Sequence, residues 1–265
     1  MYPFTYHRAV TLHQAVTLLQ QSEEAKLLAG GQTLLPTMKQ RLAAPAHLVD
    51  LNKIAGLDEI EASGDSLKIG ALARHAHVAE SPVVGGAIPA LAELAAGIGD
   101  PAVRHRGTIG GSIANNDPAA DYPAACLALG ATIVTNKRRV AADAFFTGLF
   151  ETALEEGEII TAVEFPMPEK AAYQKFRNPA SRYAIVGVFV AKKGADVRVA
   201  VTGAGANGVF RVSAFEQALK SRFESGALNG LRVDPAGLNS DIHADADYRA
   251  HLINVMARRA VAAAR

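Results

Sequence analysis

Apolar side chains recur along the whole chain at the spacings of short helices and strands. Leu12, Ala15 and Leu19 share one face of a predicted helix, and Thr11 and Gln14 form a capping box at its start. The same pattern predicts strands at 26–29, 47–51, 57–62, 66–71, 131–135 and 158–165, and helices at 34–42, 74–80, 83–96 and 118–129. The first two thirds of the chain are therefore expected to mix helices and strands.

The last third of the chain has its own pattern. Pro166, Pro168 and the charged pair Glu169-Lys170 interrupt the apolar positions and predict a domain boundary. Beyond them the pattern predicts strands at 172–177, 183–192 and 196–202, and amphipathic helices at 213–224 and 245–264. We expect a small antiparallel sheet with two helices, and we assign the chain to the α+β class.

The apolar pattern also predicts core residues. Leu42 is expected to face inward at the end of the 34–42 helix, and Cys126 is expected to be a small core residue of the 118–129 helix. A further cluster after the 131–135 strand is expected to be buried, namely Phe145, Phe146, Leu149 and Phe150.

Composition excludes several classes of protein. With 27 Lys and Arg against 26 Asp and Glu, the net charge of +1 does not favour a nucleic-acid-binding surface or a polybasic membrane patch. Gly, Pro or charged residues interrupt every apolar run before it could cross a bilayer, and the first eight residues lack the order of a signal peptide. The single cysteine excludes an internal disulfide and any all-cysteine iron–sulfur or zinc site. We expect a cytoplasmic protein.

A glycine-rich stretch near the middle carries the main chemical signal. The segment Gly107-Thr-Ile-Gly-Gly-Ser112 combines three glycines with two hydroxyls, and Arg104 and Arg106 precede it. Glycines permit positive φ and a close backbone approach, and successive N–H groups can hold an anion. Asp117-Pro118 downstream predicts a helix start, with Asp117 as N-cap. The stretch favours a phosphate or pyrophosphate site, the alternative being a tight surface turn before a capped helix.

A second stretch has the same character. The predicted strand at 26–29 runs into Gly30-Gly31-Gln32-Thr33, which is followed by a predicted helix. This order of strand, glycines, hydroxyl and helix is what a phosphate site needs, although such turns are common.

Two other patterns are rejected as sites. Gly203-Ala-Gly-Ala-Asn-Gly208 matches a dinucleotide-binding pattern, but extended residues follow it where a helix would have to begin, so we interpret it as a loop. His75 and His77 are two residues apart on a predicted helix and therefore diverge, which excludes a metal pair.

The two glycine motifs together resemble those of a known family. Ala29 to Pro36 with Met38-Lys39, and Thr108 to Ser112 followed by Asn116 to Asp121, are similar to the FAD-binding subunit of the molybdenum hydroxylases. This family contains the medium chain of carbon monoxide dehydrogenase and the FAD domain of xanthine dehydrogenase. The resemblance extends over the whole chain, through segments 158–160, 180–184, 248–249 and 258–260.

The resemblance implies a fold and domain bounds. Residues 1–166 would form a two-lobed FAD-binding domain of the vanillyl-alcohol-oxidase (PCMH) type, with lobes at about 1–55 and 56–166. Residues 167–265 would form a small α+β C-terminal domain of the carbon monoxide dehydrogenase flavoprotein type, which closes over the flavin.

The resemblance also implies the cofactor-binding residues, with no catalytic or metal-binding side chain. Two segments would hold the pyrophosphate, and single residues would surround the flavin. Gln32 stands where relatives often have His or Asp, which leaves the role of that side chain open. The implied set is Leu28, Ala29, Gly30, Gly31, Gln32, Thr33, Leu34, Ile98, Thr108, Ile109, Gly110, Gly111, Ser112, Asp121, Ile160, Lys175 and Tyr183.

The implied function is electron transfer in an oxidoreductase complex. Non-covalent FAD would take electrons from a molybdenum cofactor and [2Fe–2S] clusters, which a large and a small partner subunit would carry in a dimer of heterotrimers, and would pass them to an external acceptor. One alternative is a stand-alone flavin-dependent oxidoreductase of the same superfold. The other is a non-catalytic nucleotide-binding or scaffold protein, which would have no reducible chromophore.

Overall fold

The computed structural model describes residues 1–265, and the chain begins with a three-stranded parallel sheet. Its elements are β1 (Thr5–Arg8), α1 (Leu12–Gln21), β2 (Ala25–Leu28), α2 (Leu34–Lys39) and β3 (His47–Asp50). β3 lies between β1 and β2 and is parallel to both. As predicted, Thr11 caps α1: its hydroxyl oxygen accepts the N–H of Gln14 at 3.1 Å.

The middle of the chain forms a five-stranded antiparallel sheet with helices around it. Its elements are β4 (Ile60–Ser63), β5 (Ser66–Gly70), α3 (His75–Glu80), α4 (Pro82–Ala87), α5 (Pro89–Ala96), α6 (Pro101–Arg104), α7 (Ile109–Asn115), α8 (Tyr122–Leu129), β6 (Thr132–Thr135), β7 (Arg139–Ala141), α9 (Ala142–Phe145), β8 (Phe146–Gly148), β9 (Glu151–Thr152) and β10 (Ile160–Pro166). The strand order is β4-β5-β10-β6-β7, so the last strand lies at the centre. β8 and β9 form a separate hairpin.

The C-terminal part has the predicted antiparallel sheet and helices. Its elements are β11 (Lys170–Arg177), β12 (Ala184–Lys193), β13 (Asp196–Thr202), β14 (Phe210–Arg211), α10 (Ser213–Ser221), a 3₁₀ turn at Ser225–Leu228 and α11 (Ala246–Ala263). The strands pair in chain order. The assignment to the α+β class is therefore confirmed.

This C-terminal sheet is covered on both faces. The first eight residues of β12 are all buried. Val188 and Val190 pack in a core with α10 and α11, whereas Phe189 and Ala191 belong to the core of the middle region, with α5 and α8. Because alternate residues of a strand point to opposite faces, β12 joins the two cores.

The helix predicted at 118–129 starts later than expected. α8 begins at Tyr122, so the assignment of Asp117 as its N-cap is wrong, whereas its predicted end at Gly130 is confirmed by a φ of +64° there. The cause is a tertiary contact. The Thr202 hydroxyl donates to the Pro118 carbonyl at 3.1 Å, and the Gly203 N–H donates to the same oxygen at 2.8 Å.

Three core predictions are wrong. Leu42 is 75% exposed because α2 ends at Lys39, and Leu149 and Phe150 are exposed at the tip of the β8–β9 hairpin. Phe145 and Cys126 are fully buried as predicted. The helix predicted at 83–96 is divided into α4 and α5 before Pro89. None of the helices combines the length and the apolar character that crossing a membrane requires.

A buried arginine ties α11 to the C-terminal sheet. Arg249 is 3% exposed, and its Nη1 donates to the carbonyl oxygens of Ile185 at 2.6 Å and Gly203 at 3.0 Å. Its Nη2 donates to the Asp241 carboxylate at 2.7 Å. The guanidinium thus supplies donors to carbonyl groups near the start of β12 and just after the end of β13.

We expect Arg249→Ala to lower the free energy of unfolding by about 2–4 kcal/mol, because it leaves two buried carbonyl groups without donors. Urea denaturation followed by circular dichroism would measure the change. Arg258→Ala, at an exposed position on the same helix, is the matched control and should change stability by less than about 0.5 kcal/mol. Equal effects of the two substitutions would contradict the role of Arg249.

Candidate cofactor-binding site

The first glycine motif forms the turn between β2 and α2. Gly31 has a φ of +71°, a left-handed conformation that favours glycine, and a Cβ there would lie 2.9 Å from Leu35 Cδ1. The backbone N–H groups of residues 30–34 have no hydrogen-bond acceptor within the chain. Successive N–H groups without internal acceptors can bind an anion where they face a cavity.

The second glycine motif begins a helix instead of forming a loop. Thr108 is the N-cap of α7, and its Oγ1 accepts the N–H of Gly111 at 3.2 Å. Gly110 and Gly111 have helical backbone angles, so the expectation of positive φ at these glycines is wrong. Their lack of a side chain serves packing instead of an unusual backbone conformation.

Most N–H groups of this second motif are already used. Those of Ile109 and Gly110 donate to the carbonyl oxygens of Ala73 at 3.1 Å and Ala71 at 2.8 Å. The hydroxyl groups of Thr108 and Ser112 donate to no acceptor in the chain. The two motifs therefore offer different groups to a ligand: backbone N–H from the first, and mainly hydroxyls from the second.

The two motifs touch along a seam of glycines. A Cβ on Gly30 would lie 2.2 Å from the Arg106 carbonyl oxygen and 2.8 Å from Gly107 Cα. A Cβ on Gly110 would lie 2.7 Å from the Ala71 carbonyl oxygen. Real side chains do not tolerate such distances, so the contact between the motifs requires glycine at position 30, and the contact of α7 with Ala71 requires glycine at position 110.

A cavity of about 600 Å³ lies along this seam, within the range of about 300–1,000 Å³ typical of small-molecule sites. Most of the predicted residues line it, namely Leu28, Ala29, Gln32, Thr33, Leu34, Ile98, Thr108, Gly110, Gly111, Ser112, Asp121, Ile160 and Tyr183. Gly30, Gly31, Ile109 and Lys175 do not line it. Ile109 is fully buried, and Lys175 lies behind Asp121.

Some lining residues were not predicted. Asp117 and Arg182 lie next to residues of the motifs in sequence, which could have indicated them. His75 also lines the cavity, and nothing in its local sequence indicated this. Its contact with the seam is made by chain folding, because the His75 N–H donates to the Gly107 carbonyl at 3.0 Å.

Asp121 is a buried carboxylate in the cavity wall. The Lys175 ammonium lies 2.9 Å from its Oδ1, and the Tyr173 hydroxyl donates to the same oxygen. Burial raises the pKa of Asp121, while Lys175 and Tyr173 act in the opposite direction. Because both partners are on β11, this contact joins the C-terminal sheet to the cavity.

His75 is neutral at physiological pH. It is 5% exposed, and burial together with the nearby Arg104 lowers its pKa to about 4. Its Nδ1 is enclosed without a hydrogen-bond partner, and its Nε2 lies against Gly107. The ring packs beside Tyr122, with 5.4 Å between the ring centroids.

A tight turn before β12 brings Tyr183 to the cavity. Asn178 is buried, and its Oδ1 accepts the N–H groups of Ala180 at 2.9 Å and Ser181 at 3.1 Å. Arg182 has a φ of +62° in this turn. Tyr183 is half-exposed, and its partial burial, with Asp117 nearby, raises the pKa of its hydroxyl.

The arrangement suits a bound organic anion better than side-chain catalysis. No group of three or more His, Cys, Asp or Glu residues could hold a metal ion. Cys126 is buried away from the cavity, and burial raises the pKa of its thiol. Of the 32 lining residues 15 are hydrophobic, so the cavity can hold an apolar ring system beside its row of N–H donors.

Comparison with known proteins agrees with this geometry. The family described as "FAD binding domain in molybdopterin dehydrogenase" matches residues 2–168. The carbon monoxide dehydrogenase medium chain of Hydrogenophaga pseudoflava is 36% identical over 280 residues, covering 98% of this chain and 96% of that one. The nicotine 6-hydroxylase medium subunit of Paenarthrobacter nicotinovorans is 35% identical, covering 97% of this chain and 95% of that one.

Solved structures are similar over the same length. A chain of Hydrogenophaga pseudoflava carbon monoxide dehydrogenase lacking the Mo-pyranopterin moiety superposes with a TM-score of 0.88 at 37% identity, covering 99% of this chain and 98% of that one. A chain of quinoline 2-oxidoreductase from Pseudomonas putida 86 gives a TM-score of 0.84 at 28% identity, covering 99% and 96%.

We expect Gly30→Ala to push the two motifs apart, because its Cβ would lie 2.2 Å from the Arg106 carbonyl oxygen. Overpacking of this kind lowers the free energy of unfolding by about 1–3 kcal/mol. Thermal denaturation would measure it. The control is Gly85→Ala in α4, where the added Cβ meets no atom within 4 Å and alanine favours the helix. A Gly30→Ala variant as stable as the control would refute the seam.

Proposed function

The chain belongs to the family of FAD-binding domains of molybdopterin dehydrogenases, and we propose that its FAD passes electrons from molybdenum and [2Fe–2S] centres to an external acceptor. Its relatives are subunits of dehydrogenases and hydroxylases, so the chain is an oxidoreductase subunit. We assign the FAD-binding domain to residues 1–166, with lobes at about 1–55 and 56–166, and the closing domain to residues 167–265.

The row of unpaired N–H groups at residues 30–34 is the observation that carries the proposal. A pyrophosphate carries two negative charges and needs several donors at close range. Of these residues, Gln32, Thr33 and Leu34 line the cavity and would supply donors along one turn. The hydroxyls of the second motif, 108–112, supply donors from the other side of the seam.

The other end of the cavity suits an aromatic ring system. Ile98 and Ile160 supply apolar contacts, and Asp121 supplies a carboxylate acceptor for a ring N–H group. Lys175, which does not line the cavity, forms a salt bridge with that carboxylate. Tyr183 lies at the edge of the cavity on the C-terminal domain, where it would cover the ring system.

The lining residues favour non-covalent binding. No cysteine lines the cavity, and His75 is the one lining histidine. The Nδ1 of His75 is enclosed, and its Nε2 lies against Gly107. The FAD would therefore be held by hydrogen bonds and packing alone.

The chain's own residues position the cofactor and exclude water, and the flavin supplies the redox chemistry when bound. With one cysteine, the chain cannot hold an iron–sulfur cluster with four cysteine ligands, so electrons must arrive from a partner. We propose a large molybdenum-cofactor subunit and a small [2Fe–2S] subunit as partners, in a dimer of heterotrimers. This agrees with the description of two relatives as medium chain and medium subunit. The single cysteine and the absence of a disulfide suit the cytoplasm, which we propose as the compartment.

A stand-alone flavin-dependent oxidoreductase is the alternative function. It would need an acid or base that can exchange a proton with a substrate beside the flavin. Glu158 lines the cavity, but its hydrogen bonds with Arg138 hold its pKa at about 2. His75 is a weak base, because burial lowers its pKa to about 4. The cavity therefore favours electron transfer over substrate chemistry.

We expect the purified chain to bind one FAD that heat or acid releases into solution, because no cysteine lines the cavity and its one lining histidine is buried. Absorbance spectra and mass spectrometry of the supernatant would identify the cofactor. Flavin retained by the acid precipitate would contradict non-covalent binding, and FMN as the sole flavin would contradict the pyrophosphate site.

We expect Tyr183→Ala to expose the flavin while most of the affinity for FAD is kept. Loss of an aromatic contact of about 0.5–1.5 kcal/mol corresponds to a change in affinity of a few-fold to about tenfold. Flavin fluorescence should increase, and reduced flavin should react faster with oxygen. Tyr248→Ala, at a half-exposed tyrosine on α11, is the control. Unchanged fluorescence and oxygen reactivity in a flavin-loaded Tyr183→Ala variant would refute the covering role.

A further inference from the structure

A buried hydrogen-bond network joins three segments behind the cavity. Asp121 occupies the N-cap position of α8, yet its carboxylate makes no capping bond to the helix. It accepts instead from the Tyr173 hydroxyl and the Lys175 ammonium on β11. Lys175 also donates to the Gly97 carbonyl at 3.0 Å, at the end of α5. The carboxylate is therefore held from the C-terminal sheet.

The Tyr173 side chain lies over Gly187 on the neighbouring strand, and its hydroxyl contacts Asp121. Lys175 and Gly187 face each other across the β11–β12 pair, and Tyr173 faces Phe189. A Cβ on Gly187 would lie 2.2 Å from the Tyr173 hydroxyl and 3.0 Å from its Cζ. The ring stacks on Phe189, with 6.0 Å between centroids. Gly187 thus provides the space through which the hydroxyl reaches the carboxylate.

We propose that Tyr173 is a positioning residue for the flavin, because its hydroxyl donates to the Asp121 carboxylate and holds it in place in the cavity wall. Gly187 is required for this positioning, because any side chain at that position would displace the Tyr173 hydroxyl. The inference rests on the proposed binding of FAD in this cavity. It adds two residues that do not line the cavity and that neither glycine motif indicates.

The physical basis is the cost of a buried charge. Asp121 is 5% exposed, and burial alone would favour its neutral form. Each hydrogen bond donated to the carboxylate favours its charged form. An ionised carboxylate has no proton to donate, so it acts only as an acceptor. The titratable and charged groups that act on or respond to Asp121 are Lys175, Tyr173, Arg177, Tyr122 and Tyr183.

The expected effect is a shift in the pH dependence of FAD binding. In the native chain, affinity should be constant at neutral pH and fall when acid protonates Asp121. Tyr173→Phe keeps the ring and its stacking but removes a donor, so protonation, and with it the loss of affinity, should occur at higher pH. We expect the midpoint of this loss to move upward by about one pH unit, as one hydrogen bond to a charged group would cause.

A double-mutant cycle separates this role from simple packing. Full-length variants would be titrated with FAD between acid and neutral pH, with flavin fluorescence as the readout. Gly187→Ala should also raise the midpoint, because its Cβ displaces the hydroxyl. In the double variant, Gly187→Ala should shift the midpoint less than it does alone, because the hydroxyl that its Cβ would displace is already gone. Tyr248→Phe and Gly85→Ala are the matched controls and should leave the midpoint unchanged.

The outcomes are distinguishable. A native chain that binds no FAD at any pH would refute the proposed function itself. A native chain that binds FAD with an acid midpoint equal to that of both Tyr173→Phe and Gly187→Ala would refute the positioning role only. Additive shifts in the double variant would also refute it, since the two substitutions would then act independently.

Discussion

The cavity exists because two stretches of backbone touch where no side chain stands between them. Gly30 lies against the Arg106 carbonyl, and Gly110 lies against the Ala71 carbonyl. The first contact brings a turn of the N-terminal parallel sheet against the segment before α7, and the second brings the first turn of α7 against the residue that follows β5. A single Cβ at either position would push the touching segments apart and disturb the wall that lines the cavity.

The packing at the seam also explains why the two glycine motifs, although similar in sequence, have different roles. At the second motif, close packing of α7 gives the N–H groups of Ile109 and Gly110 to the carbonyls of Ala73 and Ala71. At the first motif, the turn between β2 and α2 leaves the N–H groups of residues 30–34 without acceptors in the chain. The second motif is thus mainly a packing surface with hydroxyls, whereas the first keeps backbone donors that no group of the chain uses.

The third wall of the cavity comes from the C-terminal sheet. Thr202 and Gly203 at the end of β13 bind the Pro118 carbonyl, and Lys175 and Tyr173 on β11 bind Asp121. Because β12 is buried on both faces, this sheet belongs to two cores at once. The cavity is therefore completed by tertiary contacts that also fix the position of the C-terminal sheet.

Local signals in the sequence were sufficient to predict a feature wherever the groups that interact lie within a few residues of each other. Thr11 capped α1, Gly130 ended α8, and the apolar pattern placed Cys126 in the core. The two glycine motifs were specific enough to indicate the family, and most residues chosen from them line one cavity. These features follow from propensities and motifs that short segments carry.

Other features needed partners far away in the chain. The start of α8 moved to Tyr122 because residues near 202 bind the turn before it, and Gly110 became helical against Ala71. The path of Tyr173 over Gly187 to Asp121 involves three elements that no local pattern connects. A pattern of apolar and polar residues indicates which face of an element is buried. It does not indicate which distant backbone carbonyl, carboxylate or empty space that face will meet, and those contacts set the shape and charge of the site.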